Sequence, residues 1–308
     1  MNEYAPVIIF CYRRKIDKLI RSLLKNKEVK KTDLFIFSDG FKSETDKKDV
    51  LNVRKYLKKI KGFKSVNIIE RIKNKGLANS IIEGTSQIIN KFDKTIILED
   101  DLVVSPYFLH FMNNSLKFYK KKKNIWSISG YGPSIPHLKN YNKEVYLSLR
   151  SSSWGWATWE DRWNKVDWSI KCFKRFKHNK RRKKDFEKGG NDMFKMLELQ
   201  YLGKIDSWAI RWCYSQFKNS AYSLTPKVSM TQNIGFSDNI GIHNFGDDEH
   251  WKVNISMSKI KNFQASFDIE LANSFKLYHD INYYTKIGYF FRKWGGYSLI
   301  KKIISRFR

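Results

Sequence analysis

Thr95-Ile96-Ile97-Leu98-Glu99-Asp100-Asp101 is the stretch on which the reading of this chain turns: an apolar run that ends in three consecutive carboxylates. A short, continuous apolar run bounded by polar residues is the pattern of a strand buried on both faces. Upstream, Val7-Ile8-Ile9-Phe10, Leu34-Phe35-Ile36-Phe37 and Val66-Asn67-Ile68-Ile69 have the same texture, and Ser38-Asp39-Gly40 closes the second run. Between them Ile16, Leu19, Ile20, Leu23 and Leu24 recur at helical spacing. The spacing of Val50, Val53, Leu57 and Ile60 predicts a helix over 49–60, and another is expected over 76–89. Repeated β-α-β order argues for an α/β fold, a mainly parallel sheet flanked by helices. Ligands of such sheets sit at the carboxyl ends of the strands, where Asp39 and the Glu99-Asp100-Asp101 cluster fall.

Beyond residue 105 the texture changes. Residues 107–123 read as a helix and 126–130 as a strand, whereas 151–168 are rich in Trp, Ser and Gly without a clean period. Residues 171–188 hold ten Lys or Arg against Asp185 and Glu187 alone, and from about 256 a tail leads into the basic, aromatic stretch 286–308. No Gly- or Ser-rich linker appears, so three closely joined parts are expected, over 1–105, 106–255 and 256–308.

The 308 residues carry 59 Lys and Arg against 30 Asp and Glu, a formal net charge of +29. With 42% apolar and 16% aromatic residues a core is available, which excludes a disordered basic tail protein. The charge points to an anionic partner: nucleic acid, an acidic membrane or a nucleotide diphosphate. Cys11, Cys172 and Cys213 are widely spaced and form no Cys-x-x-Cys pair, so reduced thiols and a cytoplasmic location are expected. The apolar run Val7 to Tyr12 meets Arg13-Arg14-Lys15 and is too short for a signal peptide, and no run is long enough to span a bilayer.

Three carboxylates after an apolar strand are costly unless solvated or bound to a cation, and Mg²⁺ and Mn²⁺ take carboxylate and phosphate oxygens together. A helix-capping role ahead of Ser105-Pro106 is the alternative. Asp39 suits a nucleotide base or ribose, or simply an Asp-Gly turn. Arg71, Asn74, Lys75 and Gly76 precede a helix N-terminus, a place that attracts phosphate. Neither Gly-x-Gly-x-x-Gly nor the P-loop pattern occurs, which excludes the usual dehydrogenase and NTPase signatures.

Residues 6–115 resemble the donor half of a GT-A glycosyltransferase, in particular bacterial relatives of the N-acetylglucosaminyltransferase that initiates complex N-glycans. Pro6 to Arg13 is similar to that family's opening strand and nucleotide-contacting arginine, Phe37-Ser38-Asp39-Gly40 to its second-strand aspartate, and Ile97 to Leu102 with Ser105-Pro106-Tyr107-Phe108 to its Glu-Asp-Asp form of the DXD motif. The resemblance implies that Asp101 binds Mn²⁺ (or Mg²⁺), that Asp100 sits near the ribose, that Arg13, Asp39 and Lys75 contact the nucleotide, and that Glu99 belongs to the donor pocket. Ser153 to Trp159 resembles the family's Gly-Trp loop, placing Trp154, Gly155 and Trp156 at the donor sugar; a tryptophan-rich core corner is the other reading. Asp206-Ser207-Trp208, followed by Arg211, resembles an acidic pair before a tryptophan, with Asp206 as catalytic base, Trp208 and Arg211 in the pocket, and Ser207 departing from the second acid. Gly241-Ile242-His243 resembles a closing loop whose histidine reaches the metal.

The implied activity is inverting transfer from a nucleotide diphosphate sugar, with a UDP-sugar the first expectation, to a glycan or lipid-linked glycan in surface polysaccharide synthesis. The parts become a nucleotide-sugar-binding subdomain, an acceptor-binding catalytic subdomain and a tail. The basic run 171–188 is either a solvated, mobile loop or a lure for a phosphorylated lipid carrier or acidic glycan. The tail, with Phe290, Trp294, Tyr297 and Ile300 among Lys and Arg, is expected on an anionic membrane surface at the inner face of the cytoplasmic membrane, or else packed as a helix. A nucleotidyltransferase, a nucleic-acid-binding basic protein and a catalytically inactive sugar-binding module are the competing readings; no nucleic-acid-binding signature appears.

Overall fold

The computed structural model describes residues 3–235 and 248–281. In chain order the elements are β1 (Val7–Cys11), α1 (Asp17–Leu23), β2 (Asp33–Ser38), α2 (Glu44–Leu57), β3 (Ser65–Glu70), α3 (Leu77–Phe92), β4 (Lys94–Glu99), β5 (Leu102–Val104), α4 (Phe108–Tyr119), β6 (Ile125–Ser129), β7 (Val145–Ser148), β8 (Trp156–Trp159), α5 (Glu160–Trp163), α6 (Phe173–His178), α7 (Lys180–Phe186), α8 (Met193–Tyr201), α9 (Trp208–Lys218), β9 (Tyr222–Pro226), β10 (Thr231–Asn233), α10 (Asp248–Trp251) and α11 (Ile269–His279).

One sheet has the order β3-β2-β1-β4-β8-β6-β9-β7. β1 pairs in parallel with both β2 and β4, and every β1 residue is buried, as a strand covered on both faces requires. The chain steps outward from β1 to β2 to β3, then returns to β4 on the other flank of β1. The carboxyl ends of β1 and β4 thereby straddle the reversal point, where open α/β sheets form their crevice. β8 runs antiparallel to β4 and β6, and β7 antiparallel to β9. β5 pairs antiparallel with β10 directly after Asp101, which brings residues 233–235 over the acidic cluster.

The strand pleat sorts the core. Val7, Ile9, Ile36, Ile96 and Leu98 pack with Leu19 and Leu23 of α1 and Phe108 and Leu109 of α4. Ile8, Phe10, Phe37 and Ile97 point the opposite way, against Ala78, Ile81 and Ile88 of α3 and a group of tryptophans.

The four N-terminal strands lie where the apolar runs predict. α2 begins at Glu44 rather than 49 because the acidic Glu44 and Asp46 occupy its first turn, where they complement the helix dipole. α4 stops at Tyr119, before the lysine run. The segment 151–168, which shows no period, supplies the central strand β8 and the short helix α5. Residues 171–188 are not a mobile loop: α6 and α7 form there, because Phe173, Phe176 and Phe186 bury against Leu197 and Tyr214. Residues 256–281 do not trail away: Ile260 joins the main core, and Leu271 and Phe275 of α11 pack with Ile135, Leu138 and Tyr146. The stretch 286–308 and His243 lie outside the described residues. Among the described residues no helix is long and apolar enough to cross a membrane.

Candidate active site

A cleft of about 1100 Å³ opens along the carboxyl edge of the sheet. Its walls come from the ends of β1, β2 and β4, the start of α3, the 150–154 loop, residues 204–210, and Trp251, Phe275 and His279 from the C-terminal part.

Glu99, Asp100 and Asp101 lie together on this wall. Burial, with two neighbouring carboxylates, raises the Glu99 carboxyl well above its ordinary value. Burial and the Asp101 charge push Asp100 up to about 7, against the Arg14 guanidinium and the Tyr12 N–H, which favour its charged form. Burial likewise raises Asp101. Arg14 bridges the pair, 3.5 Å from Asp100 and 3.4 Å from Asp101. The Asn233 amide donates to Asp101 Oδ2 at 3.1 Å, while Oδ1 is buried without a hydrogen-bond partner. Gly235 closes over this group: a Cβ there would come within 2.9 Å of the Asp101 side chain and 3.0 Å of Arg14.

This donor set fits a divalent cation. An orphaned carboxylate oxygen among repelling carboxylates is a hard ligand in want of positive charge. Among the described residues no three His, Cys, Asp or Glu side chains converge as a protein-only metal site.

Asp39, expected at the nucleotide, lines the cleft but spends its carboxylate on the backbone. It accepts from the N–H groups of Gly40, Lys75 and Gly76 at 3.0–3.1 Å, which ties the end of β2 to the turn before α3. Arg54 completes the tie by donating to the carbonyls of Ser38, Asp39 and Arg71. Arg13 is on the cleft wall and paired with Asp46 at 3.0 Å; the Tyr12 hydroxyl donates to the same carboxylate at 2.7 Å. Lys75 contributes its backbone N–H, whereas its ammonium turns to Glu83 at 3.4 Å.

Asp206 faces the cleft from the opposite side with 58% of its side chain exposed. Arg211 is not on the cleft wall. Its guanidinium holds Asp206 Oδ1 at 3.2 Å and donates to the Ser207 and Trp168 carbonyls. Asp206 Oδ2 points toward Gly76, 4.0 Å from where a Cβ there would sit. Ser207, in the place of a second acid, caps α9 by accepting from the Ile210 N–H at 3.4 Å.

Of the aromatic loop, Trp154 lines the cleft, edge-on to Tyr131 at 4.6 Å and Trp251 at 5.6 Å. Trp156 does not reach it: it is fully buried and stacks on Trp208 at 4.9 Å, so of this pair Trp208 is the one that lines the cavity, with Trp154 and Trp251. Gly155 has φ +72, and a Cβ would meet Thr231 at 2.8 Å, so the loop needs glycine for its backbone path.

The sequence gives no sign of several wall residues. Arg14 is adjacent to the expected Arg13, yet it is the one that reaches the acids. Arg150 forms a two-pronged pair with Asp192 at 2.6 and 3.0 Å. His279 lies between Phe275 and Trp251, and its Nδ1 donates to the Phe275 carbonyl at 2.9 Å, which leaves Nε2 as the acceptor. Burial, then the Arg150 charge, drives it down to about 3. Their positions depend on α8 and α11, elements distant in sequence from the strand ends.

No model of a known protein family matches the sequence, and no curated protein does. Among solved structures, the mannosyltransferase PcManGT from Pyrobaculum calidifontis, in complex with GDP-Man and Mn²⁺, is 10% identical over 51% of this chain and 46% of its own, with a TM-score of 0.34. The WbbM bifunctional glycosyltransferase, in its apo structure, is 13% identical over 53% of this chain and 32% of its own, with a TM-score of 0.26. In both cases the matched region spans less than half of the other protein.

Proposed function

We propose that this chain is a metal-dependent inverting glycosyltransferase related to the N-acetylglucosaminyltransferase family. It moves a sugar from a nucleotide diphosphate sugar, a UDP-sugar first, to a hydroxyl of a glycan or lipid-linked glycan. The observation that carries the reading is the half-buried Glu99-Asp100-Asp101 cluster at the sheet's reversal point, with an unpartnered Asp101 oxygen, in one cleft with Asp206. The motif resemblance over residues 6–115 supports it.

Asp101 would hold a divalent cation, which supplies positive charge to the departing diphosphate. Asp100 and the N-terminal end of α3 bound the space for the ribose and diphosphate, and Arg13 and Arg14 add cations at the same edge. Trp154 offers aromatic surface to a sugar ring, and Trp208, nearly buried against Trp156, lines the pocket beside it. Arg211 fixes Asp206 through Oδ1 and leaves Oδ2 open to the cleft. Asp206 takes the acceptor hydroxyl's proton as that oxygen bonds to the anomeric carbon. The bond from that carbon to the diphosphate oxygen breaks, and its electron pair leaves with the diphosphate. General base assistance of this kind contributes roughly 10²–10⁴-fold.

A panel of nucleotide sugars with Mn²⁺, scored for nucleoside diphosphate release, tests the reading. One donor class should be turned over, EDTA should stop it, and Asp206→Asn should lower the rate at least about 100-fold while donor affinity is kept. Silence across the panel would overturn the activity; undiminished turnover by Asp206→Asn would remove its role as base.

A further inference from the structure

The cationic run that sequence reading leaves open acquires a definite shape. α6 and α7 meet at Asn179, which ends the first helix and caps the second by accepting from the Arg182 N–H at 3.0 Å. The three phenylalanines of the pair all turn inward, with Phe173 2%, Phe176 7% and Phe186 2% exposed. The opposite side is almost wholly basic: Lys171, Lys174, Arg175, Lys177, Lys180, Arg181, Arg182, Lys184 and Lys188 are exposed. Among the described residues, Lys188 of this face pairs with an acid, Asp185 at 2.8 Å. Arg182 lies over Phe217 at 4.3 Å and Lys183 over Phe194 at 3.8 Å, so the same rings that bury the pair anchor part of its charge. Below it is α8, whose Met196 lines the cleft, and Lys204 just after α8 lines it too. α8 therefore lies between the α6–α7 pair and the cleft.

We propose that the outer face of α6 and α7 is an electrostatic docking surface for an anionic lipid bilayer. The inference is independent of the glycosyl-transfer reading. Charge complementarity names the partner, and the character of the face narrows it. Single-stranded nucleic acid is held by stacking on exposed aromatic rings, and sugars by aromatic faces; here every phenylalanine of the two helices is buried, and His178 is the one exposed ring. The cations are mostly lysines, hydrated point charges without the forked geometry that reads individual phosphates. An extended sheet of lipid charge asks for no more than that. Each basic residue near such a surface strengthens binding about fivefold.

Sedimentation of the full chain with vesicles tests the proposal, using phosphatidylcholine mixed with phosphatidylglycerol and phosphatidylcholine alone. One variant carries Lys174→Gln, Lys177→Gln, Lys180→Gln and Lys184→Gln. A charge-matched variant carries Lys48→Gln, Lys55→Gln, Lys59→Gln and Lys61→Gln, around α2. Both should melt like the wild type, as expected for exposed lysines. The wild type should bind only the anionic vesicles and leave them as salt rises. The first variant should lose roughly several-hundred-fold in partitioning, and the second far less. Equal losses in the two variants, no loss in the first, equal binding to uncharged vesicles, or retention on an acidic polysaccharide but not on vesicles would each overturn it.

Discussion

The Asp39 carboxylate accepts from three backbone N–H groups, two of them 36 and 37 positions further along. Its place at a strand end was readable in the sequence. Its employment was not, because its partners meet it only when α3 docks beside β2. The same limit separates Arg13 from Arg14: neighbours in sequence leave a strand end in different directions, and only the fold shows which one meets the acids. Asp101 was legible in position and in its electrostatic cost, since a carboxylate behind a buried strand calls for positive charge or solvent. His279 was not legible, and it makes a prediction at this scale. Folding lowers its pKa from 6.5 to about 3, so in that window the unfolded chain binds a proton that the folded chain does not. Its contribution to stability is complete above 6.5 and is lost as pH falls toward 3, with a slope of at most about 1.4 kcal/mol per pH unit. Urea unfolding across that window should show the slope flattened in His279→Gln; an identical slope would mean that another group sets the acid limit.

Strands β1 to β4 and helices α1 and α3 stood out in the sequence because burial on both faces, or on one helical stripe, leaves a period. β8 left none. Its Trp156-Ala157-Thr158-Trp159 is buried throughout, and the glycine and serines before it disguise the run. α6 and α7 were hidden by charge: three phenylalanines among ten cations anchor two helices, while most of the cations are exposed. Ser207 reads as a lost acid in the motif and as a helix cap in the structure. Ser207→Ala should therefore lower stability by about 1 kcal/mol, and Ser207→Asp, which can also accept from the Ile210 N–H, should stay near wild type. Equilibrium denaturation of the two variants compares them directly; equal losses would show that the hydroxyl is not the cap.

For the whole molecule, the C-terminal part proves to be a wall of the cleft as well as a carrier of charge. α11 packs on the turn 136–140 and β7, and Asp280 accepts from the Asn191 N–H at 2.8 Å. Leu271 is 1% exposed and does not line the cleft, so it reports on docking alone. Leu271→Ala should cost about 2–5 kcal/mol of global stability in a single cooperative transition. A separate early transition with an unchanged main one would mark α11 as detachable.

The sequence by itself determined the α/β class, the strands that build the N-terminal half of the sheet, and the acidic cluster at its edge. Apolar periodicity and the cost of clustered carboxylates are local properties that survive without knowledge of the fold. The tertiary structure decided which carboxylates face the cleft and which brace loops. It also decided which tryptophans reach the cavity, and that the cationic run is a folded face packed outside α8. Those outcomes depend on residues far apart in the chain meeting across packed elements, and hydrogen-bond partners and burial exist only once they meet.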